Sequence, residues 1–269
     1  MEGRVTTMEQ HRRPVGELLR RWRGRRRLSQ LELALESGIS ARHLSFVENG
    51  KSAPSRETIL RLAEQLDLPL RERNHLLLAA GYAPVFSEAA LGSPEMASVR
   101  RAVRQVLGGH EPYPAVAVDR GWNLVDANAG VGLLTERVAP ELLEPPANAL
   151  RITLHPDGMA PKISNLGEWR AHLLGRLRRQ VALTTDPELS RLLSELRAYP
   201  CDQPEPEVEI PGPGDIVVPL RLRHGGRELA LFSTVTTFGT PLDVTVSELA
   251  IESFFPADPE TASILRSEE

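Results

Sequence analysis

Between Leu28 and Lys51 the chain reads LSQLELALESGISARHLSFVENGK, and no other stretch limits its fold as strongly. Ser29 followed three residues later by Glu32 is a capping box, in which a hydroxyl and a carboxylate satisfy backbone N–H groups otherwise unpaired at a helix start. A helix therefore begins at Gln30, with Leu33 and the small Ala34 facing inward so that a second helix can cross closely. Gly38 supplies the permissive backbone of a turn, Ile39 plugs the bend and Ser40 caps a second helix. Leu44 and Val47 of that helix point inward and leave Ala41, Arg42, His43, Ser45 and Phe46 on or beside its outer face, before Asn49-Gly50 stops it. Two short helices joined by a tight turn, the second presenting its N-terminal end, have the geometry of a unit that enters a DNA major groove.

The run LSQxELA, then Gly38, then SxxxLSxVENG resembles the Xre/Cro-type DNA-binding domain, in register from about Leu18 to Gly81. The resemblance implies that Gln30 touches the phosphate backbone or a base, and that Ser40, Ala41, Arg42, His43, Ser45 and Phe46 read bases. It also implies an ion pair between Arg23 and Glu48 that locks the first helix to the third. Asn49, Lys51 in the following loop and Arg26 from the basic run Arg20, Arg21, Arg23, Arg25, Arg26 and Arg27 complete the expected DNA-binding set.

Charge supports that expectation. The net charge of −4 divides into +5 over residues 1–84 and −9 over the remainder, so positive charge is concentrated where phosphates would be met. One cysteine, Cys201, permits no intrachain disulfide framework, which suits a reducing cytoplasm. No apolar run approaches the roughly 18 residues needed to cross a bilayer, and the N-terminus has no apolar leader core, so neither export nor a membrane is expected. The seven histidines are scattered without metal-binding or catalytic spacing, so no metal, no cofactor and no enzymatic activity are expected.

Along the chain, residues 1–12 are polar and unpatterned and are expected as a disordered tail. A helix from about Pro14 carries Leu18, Leu19 and Trp22, and Ser55 caps another with Ile59, Leu62, Ala63 and Leu66 at helical spacing. Pro69 ends that one, and Arg71 to Ala80 form a fifth before Gly81. Ser93-Pro94 opens a connector helix to about Leu107 with Val99, Ala102, Val103 and Val106 as its apolar stripe; its packing partner stays open.

From Pro114 the period changes. PAVAVDRGWNLVDAN predicts two short strands, and helices follow near Asn128 to Leu134, Leu166 to Leu183 and Asp186 to Tyr199. CDQPEPEVEIPGPGD is proline-rich and acidic, hence an exposed loop. IVVPLRLRH and RELALFSTVTTFG flank Gly225-Gly226 as a β-hairpin, and about Thr245 to Phe255 forms a last strand. This order of elements is that of a PAS-like sensor. The HPDG run His155–Gly158 is a candidate functional loop, although Pro-Asp-Gly is equally turn chemistry.

Three blocks, EPYPAVAVDRGWNLVDAN, LHPDGMAPKISNLGEWRAHLL and FSTVTTFGTPLDVTVSELAIESFFPAD, resemble the ligand-binding domain of MmyB-like transcription regulators over most of residues 110–258. The resemblance implies a PAS-like fold around an apolar cavity with a fatty-acid-like occupant. Val118, Leu124, Leu134, Trp169, Phe232, Val235, Phe238, Ile251 and Phe254 are the candidate lining, and Arg170 and His172 the candidate partners of a ligand carboxylate.

The expected architecture is α+β. It comprises an all-α five-helix helix-turn-helix domain over 13–84, a connector with helix over 85–109, a PAS-like domain with an antiparallel sheet and flanking helices over 110–258, and a C-terminal tail over 259–269. The expected function is transcription regulation by a homodimer that binds a double-stranded DNA operator and a small apolar ligand. A protein-interaction and dimerisation module without small-molecule sensing is the alternative.

Overall fold

The computed structural model describes residues 15–184, 186–206 and 217–267. The expected tail 1–12, residues 207–215 of the expected acidic loop and Ile216 of the expected hairpin lie outside them. By its contacts the chain divides into two units, one ending at Ala89 but including Thr240–Ser247, the other comprising Ala90–Gly239 and the chain from Glu248 onward.

The first unit is built on α1 (Val15–Arg25), α2 (Gln30–Glu36), α3 (Ala41–Glu48), α4 (Arg56–Gln65) and α5 (Leu70–Ala79). The caps fall where the sequence predicts. Ser29 and Glu32 form the reciprocal capping box of α2, Ser40 Oγ accepts from His43 N at 3.1 Å, and Ser55 Oγ accepts from Thr58 N at 3.2 Å. Gly38 takes φ +66° in the α2–α3 turn, a conformation side chains rarely adopt. Leu19, Trp22, Leu33, Ala34, Leu44, Val47, Ile59, Leu62 and Leu77 make one buried core. At Gly16 the first helix approaches the third so closely that an added Cβ would lie 2.2 Å from Val47 O and 2.8 Å from Glu48 O.

The second unit opens with α6 (Ala97–Gly108), which buries Val103 and Leu107 and is preceded by the buried Met96, while Val106, expected in the apolar stripe, is exposed. Then come β1 (Ala115–Val118), β2 (Leu124–Ala127), the short helices α7 (Gly132–Thr135), α8 (Pro140–Leu143) and α9 (Ala149–Leu154), and the longer α10 (Leu166–Thr184) and α11 (Pro187–Ala198). The hairpin follows as β3 (Leu220–His224) and β4 (Arg227–Thr237), turned at Gly225-Gly226. The strand order is β2-β1-β5-β4-β3, all antiparallel, with β5 (Ala250–Pro256) between the two hairpins.

Because strand side chains alternate between faces, this register sorts the sheet into two sides. Ala115, Ala117 and Ile251 face α6 with Val103 and Leu107. Val116, Glu252 and Phe254 face the opposite layer, where α9, α10 and α11 supply Leu150, Ile152, Trp169, Leu173, Leu177 and Leu192.

Two expectations are corrected. The predicted strand from Thr245 begins only at Ala250, because Asp243 Oδ1 accepts from Thr245 N at 2.8 Å and caps a helical turn, α12 (Val244–Ser247). The expected tail 259–269 instead contains α13 (Pro259–Ser267), started by Asp258, whose Oδ1 accepts from Thr261 N at 2.7 Å. Thr261, Ile264 and Leu265 are buried, and Thr261 Oγ1 accepts from Ala230 N of β4 at 3.0 Å. The Asp-Pro-x-Thr start was legible; it straddled the end of the third family-like block.

The α12 segment belongs to the first unit. Asp243 Oδ2 accepts from Ser87 Oγ at 2.7 Å and Ala89 N at 3.1 Å, Val244 N donates to Ser87 O at 2.8 Å, and Val244 is fully buried. Burial raises the Asp243 carboxyl, but the hydrogen bonds from Ser87, Ala89, Val246 and Thr245 outweigh it and hold the group below its ordinary value.

Candidate nucleic-acid interface and ligand pocket

Helix α3 is held by one carboxylate. Glu48, its last residue, has a side chain with no exposure and accepts from Arg23 Nε at 2.7 Å and Nη2 at 2.9 Å, the bidentate form of the expected pair between α1 and α3. Gln30 Nε2 donates to the same carboxylate at 2.7 Å, which ties the start of α2 to the end of α3. Desolvation pushes Glu48 upward, yet the hydrogen bonds from Arg23 and Gln30 and the charges of Arg23 and Arg20 prevail, so its carboxyl sits below its ordinary value. The bond to Glu48 in turn raises Arg23.

With Leu44, Val47 and Glu48 buried, Arg42 and Phe46 are exposed on the other side of α3, and the Arg42 guanidinium lies 5.3 Å from the Phe46 ring centroid. Ala41, His43 and Ser45 are half-buried beside them, and Ser40, Asn49 and Lys51 are exposed at the ends of the helix. Asn49 is also committed within the fold: its Nδ2 donates to Ser45 O at 2.8 Å and its Oδ1 accepts from Arg20 Nη2 at 2.6 Å.

Arg26 departs from its expected place. Its Nε donates to Leu66 O and its Nη2 to Asp67 O, both at 2.8 Å, so its guanidinium satisfies carbonyls left open where α4 ends. A run of arginines reads alike along a sequence; which one meets a helix end is a tertiary matter.

In the second unit an apolar cavity of about 60 Å³ lies between the sheet and its helical layer. Its lining includes Val116, Trp122, Leu124, Val131, Leu134, Ala149, Leu150, Ile152, Met159, Trp169, Leu173 and Phe254, with Thr135, Thr153 and Glu252 as polar members. Of the candidate ligand residues, Leu124, Leu134, Trp169 and Phe254 are brought together here. Val118, beside Val131 in a small cluster, is not in the lining. Ile251 and Phe238 belong to the α6 side, because Ile251 and Phe254 sit at odd separation on one strand.

Phe232 stacks on Phe255 at 5.3 Å on that same opposite face, and Val235, although level with Glu252, is 48% exposed. Nor does Arg170 reach the cavity: it is buried, donates to Leu196 O at 3.1 Å and Arg197 O at 2.9 Å, and pairs with Glu205. His172 stacks on Trp169 at 5.4 Å outside the lining. Sequence reasoning missed α9, the short apolar ALRITL run whose Asn148 Oδ1 accepts from Leu150 N at 3.2 Å and Arg151 N at 3.3 Å.

Glu252, also missed, is the ionisable group among the described residues of the lining. Its Oε1 accepts from Arg176 Nη1 at 3.0 Å and Ser233 Oγ at 2.8 Å, and the Arg176 guanidinium lies 4.8 Å from the Trp122 ring centroid. The HPDG run is a turn behind α9, in which Gly158 N donates to His155 O at 2.9 Å. It borders a separate polar cleft of about 800 Å³ with Lys162, Arg137 and Arg223. No helix among the described residues is long and apolar enough to cross a membrane.

Comparison with known proteins agrees with both halves. Residues 19–73 match the helix-turn-helix family, and residues 99–267 match the family described as MmyB-like transcription regulator ligand binding domain. The first half is similar to two proteins of Bacillus subtilis (strain 168). These are the uncharacterized HTH-type transcriptional regulator RghRB, 41% identical over 76 residues, and the HTH-type transcriptional repressor RghR, 43% identical over 75. Each alignment covers 28% of this chain and 52% and 53% of the respective relative, so the chain spans about half the length of the curated relatives it matches. A crystal structure of the restriction-modification controller protein C.AhdI from Aeromonas hydrophila is 39% identical, covering 22% of this chain and 89% of that one, with a TM-score of 0.21. With more than half of the chain matched by this ligand-binding domain family, behind an Xre-type helix-turn-helix domain, the chain belongs to the MmyB-like transcription regulators.

Proposed function

We propose that this protein is a cytoplasmic, sequence-specific DNA-binding regulator acting as a homodimer, in which α3 reads an operator and the second unit, a PAS-like domain, senses a small apolar, fatty-acid-like ligand. The observation that carries the reading is the division of α3, whose Leu44, Val47 and Glu48 are locked into the core while Arg42 and Phe46 stand outside it. Gln30, Ser40, Ala41, Arg42, His43, Ser45, Phe46, Asn49 and Lys51 form the DNA-facing set. In this reading Arg42 donates to guanine O6 and N7 in the major groove. The order β2-β1-β5-β4-β3, with helices on one face enclosing an apolar cavity, supports the PAS-like sensor.

Binding should be measured by fluorescence polarisation on an operator obtained by in vitro selection, over a salt series. Binding through phosphates weakens linearly in log–log form, with a slope near −0.9 per phosphate neutralised. A flat salt response, or selection that enriches no sequence, defeats the reading. The alternative, an interaction module without sensing, draws on the small size of the cavity, which as it stands holds a few waters and no long acyl chain. Native mass spectrometry of the purified protein separates the two: a bound lipid of defined mass supports the sensor, and a bare homodimer that does not bind DNA supports the module.

A further inference from the structure

The polar cleft of about 800 Å³ in the second unit is walled by residues 136–139 after α7, residues 156–162 after α9, and residues 223–226 at the β3–β4 turn. Small-molecule sites usually measure roughly 300 to 1,000 Å³. Apart from the His224 imidazole its described lining carries no aromatic ring, and its apolar members are Ala139, Pro156 and Pro161, so it is no second compartment for an apolar ligand.

Two cations are set side by side in it. Ser164 N donates to Arg221 O at 2.9 Å and Ile163 bridges Leu222 in antiparallel register, so one step further along the two segments brings Lys162 level with Arg223. Like charges placed opposite one another in this way repel. Their hydrogen bonds leave both charges standing, because Lys162 Nζ donates to Glu136 O and Arg223 Nη1 to Pro161 O at 3.3 Å, and both acceptors are backbone carbonyls. Burial pushes the Lys162 ammonium below its ordinary value; of the charges around it, Glu136 raises it and Arg137 lowers it.

Arg137 is the third cation of the lining. It is held at φ +64° in a turn closed by Val138 N and Thr135 O at 3.1 Å, at the position where glycine carries no steric cost. Its Nε and His224 Nδ1 face the Glu136 carboxylate at 4.0 and 3.4 Å, which occupies that group. Asp157 has the open carboxylate. Its own N–H donates to His155 Nδ1 at 3.0 Å, so that nitrogen is an acceptor and donates nothing to the carboxylate 3.7 Å away.

We infer that this cleft is a second ligand site, for a phosphorylated polyol such as a sugar phosphate, whose phosphate lies between Lys162 and Arg223 and whose hydroxyls donate to Asp157. The phosphate removes the repulsion between the neighbouring cations and accepts from their remaining donors. Asp157 then sorts anions by kind. A polyphosphate brings negative charge to the whole cleft and meets the carboxylate, whereas a polyol phosphate carries charge at one end and hydroxyls at the other. The site is separate from the apolar cavity, and the inference does not depend on what that cavity holds.

The test is calorimetric titration of the full-length protein at pH 7.5 and low ionic strength with glucose 6-phosphate, glycerol 3-phosphate, inorganic phosphate and tripolyphosphate. At least one of the two polyol phosphates should bind about tenfold or more tightly than either inorganic anion. Lys162→Gln and Arg223→Gln each keep a donor for the carbonyl and remove the charge; each should weaken that polyol phosphate about 10-fold or more. Asp157→Asn should strengthen tripolyphosphate about 3- to 10-fold. Arg227→Gln removes a charge level with His224 on the same hairpin but outside the lining, and should leave every affinity within about twofold. Failure of both polyol phosphates to bind below about 10 mM overturns the site. Inorganic phosphate or tripolyphosphate binding as tightly as they do overturns the polyol assignment, and an equal loss in Arg227→Gln and Lys162→Gln reduces the cleft to its net charge and overturns it as well. If Lys162→Gln fails to fold, Arg223→Gln, at an exposed position, decides the matter.

Discussion

Arg42 and Glu48 lie six positions apart on one helix and do opposite work. Arg42, outside the core and next to Phe46, is free of any role in holding α3, so its loss should fall on recognition. Arg42→Ala is expected to cost about 1 to 3 kcal/mol on the selected operator and little on random DNA, measured by polarisation; equal losses on both would make it a phosphate contact. Glu48 carries stability instead. Glu48→Gln should destabilise the first unit by about 3 kcal/mol near neutral pH, because Arg23 keeps its desolvation cost with no anion to offset it.

A double-mutant cycle with Arg23→Met should return a coupling energy above the exposed-pair range of about 0 to 1 kcal/mol. The native Glu48 carboxyl titrates below its unfolded value, so its stabilisation is complete above about pH 4.5 and is lost as pH falls through the native value. Chemical denaturation of wild type and Glu48→Gln across pH 3 to 7 should therefore converge at the acid end, and a constant gap would refute the linkage.

At the scale of elements, close approach and end-capping decide where helices lie. Gly16→Ala places a methyl against the carbonyls of Val47 and Glu48 and should push α1 off the end of α3. Loss of about 1 to 3 kcal/mol is expected, with a matched loss in operator affinity, although Gly16 faces the core. Helix α13 gives the contrary case, an element at the end of the chain that is integral to the sheet. Leu265→Ala should cost about 2 to 5 kcal/mol in the second unit and Ser263→Ala nearly nothing. Equal melting temperatures for the two variants would mean that α13 is only loosely attached.

For the molecule as a whole, regulation requires that ligand and DNA prefer the same or opposite states, and the chain path offers a link. Strand β5 lines the cavity with Glu252 and Phe254, and the segment just before it, through Asp243 and Val244, packs within the helical unit on Ser87 and Ala89. Saturating acyl ligand is expected to change operator affinity by about 5- to 150-fold, the usual range of coupling. Asp243→Ala should shrink that factor while leaving ligand affinity intact. Ala149→Phe, filling the cavity from its lining, should abolish both ligand binding and the response. Val235, half exposed on β4, would not serve that purpose. Confirmed ligand binding with an unchanged operator affinity would make the second unit structural and not sensory.

Much of the helix-turn-helix half was legible from the chain alone: Ser29, Glu32, Gly38 and Ser40 act through hydrogen bonds and backbone angles a few residues away, and such local rules survive without knowledge of the rest. The strands, the hairpin turn and α11 were legible for the same reason. Face and partner were not. Period-two alternation says that Ile251 and Phe254 oppose one another but not which side holds the cavity; that depended on α6 covering one face and α9 and α10 the other. Likewise charge alone did not tell Arg26 from Arg42, and only the position of the α4 terminus gave the first its carbonyl partners. Short-range hydrogen bonding wrote the elements into the sequence, while the contents of the pocket wall and the employment of each arginine were settled by contacts between residues distant along the chain.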